Sequence, residues 1–424
     1  MVNDKSGVYA NILRNELITS LGCTEPSAIA FAAATAQARL GRAAERCVVE
    51  ASGNMIKNAK SAVVPNTGGM KGIKAAAAAG ILAGKPELGL ETLRDVTEGD
   101  ILKMRAFLDS GAVEFRQSEK DALLYVSVTL FGGGDTVFAE LEGGHSNITR
   151  IEKNGEILFT GRSVEEAESD LEYELLNVRD IVDFAENADI EGLKPIIKRQ
   201  IEYNYDIARE GMRNDWGANV GTSLISAFGD DVKIRAAAMA AAGSDARMSG
   251  CDMHVVIVSG SGNQGITASV PVVEYGRELG CSEDALIRAV ILSDLVTIHQ
   301  KTSIGKLSAF CGAVSAGCGA AAGIAFLLGG DYDIIAHAIV NSLATVAGMV
   351  CDGAKPSCAA KIAVAVHAGI LGYSMYAKCD QQFYGGDGIV KRGVDNTITN
   401  IGRMASRGMR ETDREILRIM TEDY

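Results

Sequence analysis

The chain has 424 residues, 41 of them basic and 54 acidic, for a net charge of -13. That balance excludes nucleic acid as the expected partner, because phosphate binding needs clustered Lys and Arg, and leaves a small molecule as the natural substrate. The length exceeds what one core usually fills, so two domains are expected, and Ala/Gly-rich runs with only 5% aromatic residues indicate closely packed helices rather than an all-β fold.

The chain opens MVNDKSGVYANILRN, without a basic-then-apolar leader, which points to a reducing cytoplasmic setting and free cysteines. Residues 6 to 21 read as an amphipathic helix, with Ser6 as N-cap, Val8, Ile12, Leu13, Leu17 and Leu21 at helical spacing, and Gly22 as its end. CTEP follows from Cys23 to Pro26, then an apolar run to Gly41. With Thr24 as N-cap and Pro26 in the first turn, Cys23 stands at the positive end of a helix dipole, where thiolate is favoured.

From Cys47 to about Gly161 the pattern turns strand-like, in CVVEAS, LLYVSVTLF, TVFAELE, ITRIEK and EILFT, the last two joined by the hairpin signal Asn154-Gly155. Two helices, KGIKAAAAAGILAG and GDILKMRAFLDSG, interrupt them, and three polar loops punctuate the segment: 51 to 58, 65 to 72 and 142 to 148. After an acidic connection, RSVEEAESDLEYEL, helical periodicity returns in LKPIIKRQIEYNYDIAREG and continues to TDREILRIM. HVVIVSGSGNQGITASVPV interrupts it. There a glycine-rich turn opening a helix exposes backbone N-H groups that suit an anion; the spacing matches neither a P-loop nor a dinucleotide site, so a small carboxylate is the expected ligand.

Four cysteines lie between Lys306 and Lys361 on a nearly charge-free background. Cys311 and Cys318 have six residues between them, as do Cys351 and Cys358, and forty positions carry either cysteine of the first pair to its counterpart. That is the chain needed for a helical hairpin returning to its own start, where two thiols would meet. With a third from CTEP, three thiolates are one short of the four of a closed zinc or iron-sulfur site, and would leave one iron open as a Lewis acid. Buried cysteines filling Ala/Gly-rich helices would read the same way, and that is the reading for Cys47, Cys251, Cys281 and Cys379. The charge-free run Ala309 to Gly330 is long enough to span a bilayer. His337 and Asn341 in the following apolar segment and the absence of a basic flank favour buried helices instead, and no membrane partner.

CTEP, SGSGNQG, and FCGAVSAG followed by CDGAKPSCAAK together resemble the L-cysteine desulfidase family, relatives of the iron-sulfur L-serine dehydratases, over essentially the whole chain. The resemblance implies an oxygen-sensitive [4Fe-4S] cluster on three cysteines and conversion of L-cysteine to pyruvate, ammonia and hydrogen sulfide, a step of cysteine catabolism. The ligands carry over as Cys23, Cys311 and Cys351, with Cys318 and Cys358 as alternates. GCTEPSA stands where the dehydratases carry a serine-rich segment with histidine, which favours cysteine over serine. His299, Lys301 and His145 are the candidate bases. Ser261, Gly262, Asn263 and Gln264 form the candidate carboxylate cradle, with Asn66, Thr67 and Gly68 as a second wall. Glu25 and Asp352 are expected to orient the cysteine loops through backbone N-H groups.

The expected fold is α+β: a large helical cluster-binding domain (1-45 and 165-424) with a smaller α+β domain (46-164) inserted after the N-terminal helices, and the active site at their junction. The Ala/Gly-rich helix faces permit a homodimer.

Overall fold

The computed structural model describes residues 5–163, 171–383 and 385–422; half of the acidic connection, 164–170, lies outside them. The first helix, α1 (Ser6–Glu16), has Lys5 and not Ser6 at its N-cap position and ends earlier than its periodicity predicts. Thr19–Leu21 instead form a strand, β1, antiparallel to β8 (His254–Val256), with Thr19 opposite Val256 and Leu21 opposite His254. Pairing with a distant strand satisfies the backbone there and overrides the helical pattern.

α2 (Thr24–Leu40) lies mainly on α4 (Gly72–Ala83), β4 (Tyr125–Gly132) and β5 (Asp135–Glu142), so this helix belongs by contact to the α+β part and not to the C-terminal helices. Small residues explain the choice: an added Cβ on Gly80 of α4 would stand 2.2 Å from the Ala30 carbonyl oxygen, so the two backbones nearly touch. The sheet has the order β3-β2-β4-β5-β6-β7, with β2 (Arg46–Ala51) and β3 (Val113–Gln117) parallel and the other pairs antiparallel. Asn154 and Gly155, both at positive φ, turn β6 (Ile148–Lys153) into β7 (Glu156–Thr160). The segment read as a polar loop at 51 to 58 is instead a short helix, α3 (Gly53–Ala59), because Met55, Ile56 and Ala59 are buried beneath it. α5 (Glu98–Asp109) carries a capping box between Thr97 and Asp100.

Eleven helices follow among the described residues: α6 (Val178–Asn187), α7 (Lys194–Arg213), α8 (Val220–Phe228), α9 (Val232–Met248), α10 (Gly262–Leu279), α11 (Glu283–Ile304), α12 (Gly312–Leu327), α13 (Tyr332–Val346), α14 (Cys358–Cys379), α15 (Val394–Arg403) and α16 (Arg410–Thr421). This is the α+β class with a large helical part. α12 is the axle of that part, touching α10, α11, α13 and α14, with every residue from Ala313 to Ala325 buried. At 16 residues it is about 24 Å long, short of a hydrocarbon core of about 30 Å. Among the described residues one helix, α14, is long and apolar enough to cross a membrane, and half of that span is buried inside the fold.

Gly80→Ala should lower stability by about 1–3 kcal/mol, seen as a reduced urea midpoint at unchanged slope.

Candidate active site

Two short β-pairings assemble the site. β1 runs into Cys23, the N-cap of α2, while β8 runs into Gly260 and Ser261, the N-cap of α10, so their antiparallel pairing sets these two helix N-termini side by side. A single bridge between Phe310 and Val350 does the same for the cysteine loops: Cys311 N-H donates to Met349 O at 3.1 Å, and Cys351 N-H to Ala309 O at 2.7 Å. α12 and α13 are the two arms of the hairpin that brings these loops together.

The result is a cavity of about 90 Å³ walled by Cys23, Cys311, Cys351 and Cys358. Glu25, Arg247, Ser261, Asn263, Gln264 and Lys301 share the wall. No three of the described His, Cys, Asp or Glu side chains stand close enough to hold a single metal ion. The thiols ring a space instead of converging on a point. They are not equivalent. Beyond burial, the strongest electrostatic neighbour of Cys311 is Cys351, followed after a backbone contact by Cys358; Cys23 answers to Glu25 and Arg247. Cys318 is fully buried along α12, its thiol donating to Ser342 Oγ at 3.0 Å, and takes no part in the wall.

Burial raises the thiol pKa of Cys23, Cys311 and Cys358, with neighbouring acids or thiols adding to it. The thiolate expected at Cys23 from the helix dipole is therefore not the favoured form in the bare protein. Nor does Thr24 cap α2: its hydroxyl donates to Glu25 Oε2 at 3.1 Å, and Cys23 Sγ lies 3.5 Å from the same oxygen.

Glu25 is a buried carboxylate. Desolvation alone would push its pKa up, but His145 and Arg247 bring it down to about 2. His145 Nε2 lies 3.8 Å from Glu25 Oε1 and finds no hydrogen-bond partner, so this histidine stands behind Glu25 and outside the cavity wall. Asp352 is fixed by lysines and not by backbone N-H groups: Lys361 Nζ and Lys355 Nζ approach it at 2.5 and 2.9 Å. Burial works against its charge, and these two cations bring its pKa to about 2.

Of the three candidate bases only Lys301 reaches the cavity. Burial lowers its pKa to about 8, against the raising influence of Cys351 and Cys311. His299, two residues before it on α11, turns away to Asp395, with Nε2 2.8 Å from Oδ1. The second expected wall does not form either. Asn66 Nδ2 donates to the carbonyls of Leu93 and Arg94, Thr67 Oγ1 donates to Val64 O, and none of Asn66, Thr67 and Gly68 lines the cavity. The polar groups of that turn are used up holding the turn.

The sequence reading missed Arg247. It sits at the end of α9, 3% exposed, with Nη1 donating to Asn263 Oδ1 at 3.1 Å and both Nε and Nη2 buried without partners. Gly262 makes room for it, since an added Cβ would stand 2.4 Å from Arg247 Nε. The available signal was an Arg in a helix otherwise almost wholly buried. Lys57 was also missed. Buried in α3, it donates to Ser308 O at 3.3 Å and to Asp413 Oδ1 of α16 at 2.5 Å. Its carbonyl backs Gly353, where an added Cβ would stand 2.2 Å away. One lysine thus braces both cysteine loops. Among the cysteines read as core fillers, Cys47 and Cys251 are buried, but Cys379 is exposed at the end of α14.

Fold and cavity together define an α+β protein with a thiol-walled chamber set among helix N-termini. Residues 87–418 match the family described as serine dehydratase alpha chain, and the chain belongs to that family, whose named reaction is a lyase chemistry. Relatives extend the likeness. A UPF0597 protein of Desulfitobacterium hafniense is 53% identical over 413 residues, 97% of this chain and 96% of the relative. UPF0597 proteins of Lachnoclostridium phytofermentans and Treponema denticola are 48% and 46% identical, over 97% and 98% of this chain and 98% of each relative.

In metal-free protein at pH 8, an alkylating reagent should modify exposed Cys379 first and buried Cys23, Cys47, Cys311 and Cys318 last, because only thiolate reacts and burial suppresses it. Peptide mapping against time gives the order.

Proposed function

We propose that the protein is a cytoplasmic iron-sulfur lyase that eliminates sulfide from L-cysteine, yielding pyruvate, ammonia and hydrogen sulfide. The observation that carries this reading is the meeting of four thiols, a buried lysine and a buried arginine in one cavity. The donor set suits a [4Fe-4S] cluster in kind, since thiols are the usual ligands of such clusters, and in arrangement, since these thiols surround a space instead of a point. Cys311, Cys351 and Cys358 are the proposed ligands: the Phe310–Val350 bridge sets the first two together and Cys358 is a further electrostatic neighbour of Cys311, whereas Cys23, at the N-cap of α2, has Glu25 as its first electrostatic neighbour. This replaces Cys23 with Cys358 in the set implied by resemblance. When bound, a cluster on three cysteines supplies one open iron as a Lewis acid for the departing sulfur.

The chain's own part is to hold the amino acid and move its proton. Lys301, kept largely able to lose its charge by burial, takes the proton from the α-carbon as the carbon-sulfur bond breaks. The products are sulfide and aminoacrylate, and water converts aminoacrylate to pyruvate and ammonia. Phe310 and Leu307 limit water around the reacting carbon from the cavity wall. L-Serine is the second reading, supported by the family description; the same proton transfer would then expel hydroxide.

Anaerobic assay of iron-reconstituted protein with each amino acid should give equal sulfide and pyruvate from L-cysteine, and that activity should be lost on exposure to air; pyruvate from L-serine alone would overturn the choice of substrate. Cys311→Ser, Cys351→Ser and Cys358→Ser should each lose iron and the visible thiolate-to-iron absorption, whereas Cys318→Ser and Cys23→Ser should keep both. Lys301→Met should retain the absorption with turnover lowered by about 100-fold or more. In the wild type the rate should rise with pH through a midpoint at about 8 and level above it, since the neutral amine is the active form.

A further inference from the structure

The cavity contains charge that the fold itself does not use. A buried arginine ordinarily has its N-H groups satisfied, because a charged donor removed from water without a partner is costly. In Arg247, a residue of the cavity wall, a single group is spoken for, the Nη1 that donates to Asn263, while Nε and Nη2 are buried and unpartnered. Two donors side by side on one guanidinium match the two oxygens of a carboxylate. Glu25 supplies electrostatic balance to this arginine, yet no hydrogen bond joins them; its Oε2 accepts from the Thr24 hydroxyl, and the residue lines the same cavity. Gln264 Oε1, an acceptor on the same wall, is also buried without a partner. Unused donors and available acceptors thus share one small chamber, beside the cysteines.

We infer that Arg247 holds the carboxylate of the substrate amino acid and that Glu25, helped by Gln264, holds its ammonium group. The inference deepens the reaction proposed above by assigning the residues that recognise the substrate's two charges, and it depends on that reading only for the step that follows binding. It excludes esters, amides, simple amines and residues within a peptide, each of which lacks one of the two charges. Arg247 and Glu25 lie on opposite parts of the fold, at the end of α9 and the start of α2. The β1–β8 pairing is what brings the start of α2 beside the turn that receives Arg247.

The test uses purified, iron-reconstituted protein and calorimetric titration with L-alanine, which has both charges and no leaving group, beside propionate and ethylamine, which have one each. L-Alanine should bind and the other two should be weaker on the order of 100-fold. Arg247→Met should abolish L-alanine binding and raise KM for L-cysteine by a similar factor, with iron content and visible absorption unchanged; Arg247→Lys should recover part of the loss. Glu25→Gln, a replacement of equal size, should weaken L-alanine and leave propionate unaffected. L-Alanine binding that survives Arg247→Met in protein with its full iron content, or propionate binding as well as L-alanine, overturns the inference while leaving a cysteine lyase intact. Arg247-dependent L-alanine binding without turnover of cysteine or serine upholds the inference and removes the reaction instead.

Discussion

The bridge between Phe310 and Val350 is the constraint on which the rest of the site depends. Its hydrogen bonds fix Cys311 and Cys351 at the mouths of two loops whose other ends are held by α12 and by the Lys361–Asp352 contact. Backbone pairing is a suitable device here because it has one register, and a slip by one residue would turn a thiol to the opposite side. The β1–β8 pair repeats the device on the facing wall. Between them, two minimal pieces of sheet position a chamber in a mainly helical surround.

The chamber keeps charge in a place where charge is expensive. Glu25, Lys301 and Arg247 are all buried, and each is treated differently by its surroundings. Glu25 stays ionised because His145 and Arg247 outweigh desolvation. Lys301 has only thiols and a distant carboxylate on its side, and burial prevails. Such opposed shifts within one pocket are how a protein keeps an anion and a neutral amine available at the same pH. The thiols are subject to the same penalty, and a metal that takes their protons' place would relieve it.

Much of the architecture was legible because long helices state their period. The hairpin returning Cys311 to Cys351 followed from a spacing of forty residues and from uninterrupted Ala/Gly runs. What escaped was set by contacts distant in sequence. Leu17 and Leu21 continue the period of α1, yet strand pairing with residues 254–256 draws the second of them out of the helix. Gly53-Asn54 looks like a turn until its neighbours Met55 and Ile56 are seen to be covered. The site was legible in its cysteines, its glycine turn and Lys301, since those residue types announce their chemistry. It was not legible in Arg247, because a basic residue in the last turn of a helix is also what a solvated, dipole-complementing end looks like. The opposite error occurred at Asn66 and Thr67, whose polar groups looked available and are occupied, Asn66 by the carbonyls of Leu93 and Arg94 and Thr67 by that of Val64 in its own loop.

Lys57 and Asp413, the pair that braces both cysteine loops, are separated by 356 residues. A chain still being synthesised therefore carries Cys23, Cys311, Cys351 and Cys358 outside the ribosome before the carboxylate that neutralises Lys57 has been made. Until α16 docks, Lys57 lacks that carboxylate, and the loops lack the brace the pair provides. Biogenesis is thereby given an order: the thiols emerge first, and the brace on their loops forms only once Asp413 has been made and has docked on Lys57.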